Sequence, residues 1–104
     1  MKISEFLSEK AIFTDIKATK KEDVLKELVE LLGNSGEIDK RCTTKILTAL
    51  MARESLGSTA IGQGVAIPHA KVDCVSKLIA AFGLSRKGVE FDSLDGEPAY
   101  IFFL

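Results

Sequence analysis

Apolar residues recur at helical spacing in two successive windows of this chain, and after Gly57 the period shortens to that of strands. In the first window, residues 19–33, Val24, Leu25, Leu28, Val29, Leu31 and Leu32 fall on one side. Thr19 with Glu22 three residues later reads as a capping box, and Gly33-Asn34 as the stop. In the second, Asp39 is the expected cap and Cys42, Ile46, Leu47, Leu50 and Met51 repeat at the same spacing. Gly57 lies just past an end expected at residues 53–55, which places Arg53 in the last helical turn.

Residues 65–67, 77–84 and 99–104 are short, apolar or β-branched, and predict buried strands of one sheet. Residues 11–16 predict a brief strand, and Ile3, Phe6 and Leu7 a leading turn of helix. Asp95-Gly96 and Gly88 signal turns, and residues 89–91 suit a short pairing segment. Helices followed by strands predict an α+β or mixed α/β sandwich. The last run, Tyr-Ile-Phe-Phe-Leu, is apolar to its final residue. Left as a free edge it would pair with another chain, so either more chain beyond Leu104 or self-association through that strand is expected.

A length of 104 residues fits one domain with a real core. Fourteen basic and fifteen acidic residues nearly cancel, and no basic run exceeds Lys20-Lys21, which argues against nucleic acid or an anionic membrane as partner. Charges interrupt the first ten residues and no apolar stretch approaches a membrane span, so neither a signal peptide nor membrane insertion is expected and the cytosol is the expected compartment. Cys42 and Cys74 stand apart, with no paired spacing for a metal or a redox couple, and read as reduced, small apolar residues. No repeat or linker divides the chain.

The chemistry concentrates in residues 53–70. Gly57, Gly62 and Gly64 allow a backbone that presents N–H groups unobstructed, the geometry that receives phosphate oxygens, and Ser58 and Thr59 add hydroxyls. The pattern is neither a dinucleotide fingerprint nor a Walker loop, since a strand follows it and no lysine is in place. Pro68 stiffens the approach to His69, the only histidine. A neutral imidazole keeps one lone pair free, so His69 is a candidate to accept and release a phosphoryl group. Such transfer spreads charge over three oxygens, for which the guanidinium of Arg53 is the natural partner. Each feature also has a plain explanation: lone histidines are commonly surface or core residues, a last-turn arginine serves the helix dipole, and glycines punctuate turns. A Ser-His-Asp hydrolase using Ser55 or Ser58 with Asp73 lacks a nucleophile elbow, and a metal hydrolase lacks ligands.

Taken together, Arg53-Glu followed by Gly-Ser-Thr-Ala-Ile-Gly-Gln-Gly-Val-Ala-Ile-Pro-His69-Ala resembles the active-site signature of enzyme IIA of the bacterial sugar phosphotransferase system, fructose/mannitol class, including its nitrogen-regulatory branch. The N-terminal pattern, the helix ending in Met-Ala-Arg-Glu, and Phe91-Asp-Ser-Leu-Asp-Gly-Glu-Pro-Ala extend the resemblance over essentially the whole chain. It implies an α/β fold, a mixed sheet flanked by helices as a three-layer sandwich. It implies that His69 takes phosphate from the carrier HPr and passes it to an enzyme IIB or holds it as a regulatory mark, that Arg53 supports the phosphoryl group, and that no metal or organic cofactor takes part. Members continue past the last strand into a segment with a second histidine and closing helices. That C-terminal part is absent from the expected architecture.

Three roles follow: a phosphorelay protein, a regulatory module whose phosphorylation state alters a partner such as a transcription factor or transporter, or an incomplete domain without activity. Fructose, mannitol and nitrogen-regulatory roles stay open.

Overall fold

Leu28 and Val29 lie at the middle of the first helix's buried stripe, and the sheet is built against them. In the computed structural model, which describes residues 7–73, 75 and 79–104, strand β1 (Leu7–Phe13) leads to helix α1 (Lys21–Asn34), a 3-10 turn (Lys40–Cys42) and helix α2 (Thr43–Ser55). Strands β2 (Ala60–Gly62), β3 (Val65–Ala66), β4 (Ala80–Val89) and β5 (Ala99–Phe103) follow. All five strands form one mixed sheet in the order β1-β4-β5-β3-β2. β1 runs parallel to β4 and β3 to β5, while β4–β5 and β2–β3 are antiparallel. The expected mixed α/β architecture is present.

Packing follows from side-chain size. On α1, Val24, Leu25, Leu28, Val29 and Leu32 are buried, each large apolar side chain contributing about 1.5–3 kcal/mol. On β4, Ala81, Gly83 and Ser85 turn towards the helices. A Cβ at Gly83 would stand 2.7 Å from Leu28 Cδ2, so only glycine lets α1 seat this closely. Ile46 and Leu50 of α2 join Val29, Leu32, Ala11 and Ala81 in a second cluster on that same face. The alternate positions, Ile12, Phe82, Leu84, Ile101 and Phe103, form the opposite face, where Phe82 and Phe103 meet edge-on with centroids 6.4 Å apart. The described residues therefore supply two layers of the sandwich, the sheet and one helical layer.

Tertiary contacts override several local signals. Thr19 is not the cap: α1 begins at Lys21, and Lys20 is extended with no side-chain cap. Lys20 instead bridges in parallel to Glu90, and the Glu27 carboxylate receives the N–H groups of Lys17 and Ala18, which fixes the helix entry from outside. The helix ends at Asn34, as the Gly33-Asn34 stop predicts. Gly33 is buried where a Cβ would meet Thr43 Cγ2 at 2.8 Å, and it is Gly36, at φ 84°, that turns the chain. Asp39 does cap, although what it caps is the 3-10 turn, through the Arg41 N–H.

Leu7 starts a strand and not a helical turn, and β1 ends at Phe13. Ile3, Phe6 and Cys74 lie outside the described residues, as does residue 77, where the β4 strand was expected to begin. β3 stops at Ala66. β4 runs on to Val89, so Gly88 is no turn. It sits within the strand at φ 86°, where the register against β5 shifts between Leu84 and Val89. The Asp95-Gly96 turn forms as expected, closed by Gly96 N–H on the Ser93 carbonyl. Cys42 is buried. The free edge expected at the C-terminal strand is overturned, because β5 pairs with β4 on one side and β3 on the other. Leu104 continues that pairing, exchanging both backbone bonds with Ala81.

Candidate functional site

The last turn of α2 hands the chain directly to the β2–β3 hairpin. Leu56 N–H donates to the Arg53 carbonyl and Gly57 N–H to that of Glu54, while Arg53 Nη1 donates to the Gly57 carbonyl at 2.7 Å. Beyond it Ala60 pairs with Ala66, and Ile67 N–H donates to the Thr59 carbonyl at 3.1 Å. This register gathers Arg53, Gly57, Ser58 and the strand leading to His69 at one end of the hairpin.

Gly62 and Gly64 occupy the other end. They flank Gln63 in the tight turn, with φ of 109°, 56° and 80° across the three residues. That turn lies four residues from the Thr59–Ile67 pair, about 13 Å at the ~3.3 Å rise of a strand. Two of its groups are engaged: Gln63 N–H donates to Asp95 Oδ2 at 2.9 Å, and the Gly64 carbonyl accepts from both Tyr100 and Ile101. Those backbone N–H bonds, from Gln63 first and then Glu97, hold the Asp95 carboxyl below its ordinary range. The expectation that Gly62 and Gly64 share a cradle with His69 gives way to a structural role, docking the hairpin on β5. The hydroxyls are likewise committed. Ser58 Oγ donates to the Phe91 carbonyl, and Thr59 Oγ1 donates to the Glu54 carboxylate.

His69 is exposed and follows the fully buried Pro68. Its Nδ1 lies 2.8 Å from the Ile67 carbonyl oxygen. A carbonyl can only accept, so Nδ1 carries the proton, and in the neutral ring the lone pair is on Nε2. Beside the ring lies a hollow of about 620 Å³ whose walls include Ile46, Leu50, Pro68, Val72, Phe103 and Leu104.

Glu54 was not singled out by sequence reasoning, although a signal existed: it is four residues after Leu50 and continues the buried Ile46–Leu50 stripe of α2. Its carboxylate receives Thr59 N–H at 3.1 Å and Lys21 Nζ at 3.0 Å, and Lys21 also lies 4.9 Å over the Phe91 ring. No sequence signal marked Lys21, whose role depends on the fold alone.

Comparison with known proteins gives the same assignment. The family described as "Phosphoenolpyruvate-dependent sugar phosphotransferase system, EIIA 2" matches residues 5–104. The chain belongs to this family of enzyme IIA domains. Among its relatives, it is 43% identical over 104 residues to the PTS system fructose-specific EIIABC component of Bacillus subtilis, covering all of this chain and 16% of that protein. The crystal structure of nitrogen regulatory protein IIA-Ntr from Neisseria meningitidis matches at a TM-score of 0.85 and 36% identity, over 97% of this chain and 67% of that one. Enzyme IIAMTL from Escherichia coli, solved in complex with phosphorylated enzyme IIBMTL, matches at a TM-score of 0.75 and 26% identity, over 92% and 66% of the two chains. Among the described residues no helix is long and apolar enough to cross a membrane.

Proposed function

We propose that this chain is a cytoplasmic phosphocarrier, in which His69 Nε2 accepts a phosphoryl group from the phosphohistidine of HPr and passes it to an enzyme IIB. The observation that carries this reading is the Nδ1–Ile67 hydrogen bond, which leaves Nε2 as the free nucleophile on an exposed ring. The P–N bond to the donor imidazole breaks as the P–Nε2 bond forms, and the proton stays on Nδ1, hydrogen-bonded to the Ile67 carbonyl. Arg53, tethered at Gly57, stands at the same end of the hairpin as the fixed positive charge for the transferring oxygens. The apolar hollow beside His69 suits docking of a protein carrier better than a free sugar phosphate, which needs polar donors.

The test is incubation with phosphoenolpyruvate, enzyme I and HPr, followed by intact-mass measurement. One acid-labile phosphoryl adduct, lost in His69→Ala and discharged on adding enzyme IIB, is the expected result; folded protein without an adduct refutes the proposal. The likeness to IIA-Ntr supports a second reading, a regulatory protein whose partner binding depends on phosphorylation. An adduct that forms but passes to no enzyme IIB would favour it.

A further inference from the structure

Glu54 is the only charged side chain that is buried among the described residues, and it stands next in sequence to Arg53. Its neighbours are Lys21, from the first turn of α1, and both the N–H and hydroxyl of Thr59. Lys21 reaches Asp92 at 3.6 Å as well, and its side chain is itself only 18% exposed. A carboxylate so enclosed is costly unless its charge and lone pairs are matched, and here Lys21 and Thr59 match them.

The bonds continue from Thr59. The Thr59 carbonyl accepts from Ile67 N–H at 3.1 Å, and the Ile67 carbonyl accepts from His69 Nδ1 at 2.8 Å. Three successive links thus run from a buried carboxylate to the exposed imidazole, with Pro68 restricting the only free step between Ile67 and His69. Each link fixes the orientation of the next peptide group, and the last selects the ring tautomer.

We infer that Glu54 is a positioning residue for His69, acting through Thr59 and Ile67 to hold Nδ1 protonated and Nε2 free. The catalytic consequence rests on His69 being the phosphoryl acceptor; the tautomer consequence does not. Losing the carboxylate lets the Thr59–Ile67 pairing relax, and the imidazole then drifts towards the mixture of tautomers it has in water.

The experiment is a long-range proton–nitrogen NMR spectrum of the unphosphorylated protein, selectively labelled with nitrogen-15 in its one histidine, in wild type, Glu54→Gln, Glu54→Ala, Thr59→Val and Thr59→Ser. Wild type and Thr59→Ser should show the Nδ1–H form dominant. In Glu54→Gln, Glu54→Ala and Thr59→Val the Nε2–H form should grow several-fold. The rate of phosphoryl acceptance from phospho-HPr should fall by about tenfold to a hundredfold in those three variants, with KM for the donor unchanged. If Glu54→Ala fails to fold, the milder Glu54→Gln and Thr59→Val carry the test. Folded variants with a wild-type tautomer ratio overturn the inference, whatever their rates. A wild type that takes up no phosphoryl group, while its variants still shift tautomer, overturns the acceptor reading and supports the positioning link.

Discussion

The guanidinium of Arg53 closes back on the carbonyl of Gly57, four residues further along the chain, at 2.7 Å. This bond ties the C-terminus of α2 to the loop that leads into the hairpin, and it leaves the remaining guanidinium donors available at the end of the hairpin where His69 emerges. A lysine at this position keeps the charge and loses the planar fork. Arg53→Lys should therefore slow phosphorylation of His69 by roughly tenfold, about 1.4 kcal/mol in the barrier, when followed by rapid-quench assay with phospho-HPr. An unchanged rate would remove Arg53 from the site.

Gly64→Ala separates the two ends of the hairpin. The residue sits at φ 80°, and an added Cβ would lie 3.3 Å from Tyr100 Cδ2, so the substitution should cost roughly 1–2 kcal/mol of stability. The phosphorylation rate of the folded fraction should stay at the wild-type value, because the turn lies away from His69. Denaturant titration and the transfer assay, run on the same preparation, check both halves.

Gly83→Ala probes the contact that seats α1 on the sheet. With Leu28 Cδ2 at 2.7 Å and Ile16 Cγ1 at 3.2 Å from the new Cβ, the helix has to move outward, at a cost of about 1–3 kcal/mol. The urea midpoint should fall while the slope of the transition stays constant.

Asp39 gives a pH dependence with a definite sign. The Arg41 guanidinium, and after it the Arg41 N–H, hold its carboxyl at about 2, below an ordinary value of 3.8. A carboxylate depressed in the folded state stabilises the protein above its unfolded pKa, and that stabilisation is lost as the pH falls from about 4 towards 2. Asp39→Asn should flatten the acid limb of the stability curve across this window and lower stability at neutral pH. Equilibrium unfolding at several pH values checks it.

What the sequence discloses here depends on whether a residue acts locally. The buried stripe of α1, the Asp39 cap and the Asp95-Gly96 turn are local, and each is found where its pattern predicts. Thr19 misleads because tertiary contacts decide the helix entry: Lys20 bridges to Glu90, and the Glu27 carboxylate receives the N–H groups of Lys17 and Ala18. The candidate site divides in the same way. Arg53 and His69 stand out by residue type, and the hairpin register brings their chain segments to one end. Gly62 and Gly64 looked like phosphate ligands because glycine spacing in a sequence does not reveal which end of a hairpin a turn occupies. Ser58 and Thr59 looked available because their acceptors, Phe91 and Glu54, become neighbours only through folding. Glu54 passed unnoticed because a charge at a core-facing helical position is read as solvated until Lys21 is seen beside it.

The proposed phosphoryl acceptor is His69 Nε2. This assignment is tested most directly by phosphorus–nitrogen coupling in nitrogen-15 histidine-labelled protein after phosphorylation by phosphoenolpyruvate, enzyme I and HPr. Phosphorus should couple to Nε2, with the proton retained on Nδ1. Phosphorus coupled to Nδ1, or a phosphoryl group on any other residue, would contradict it.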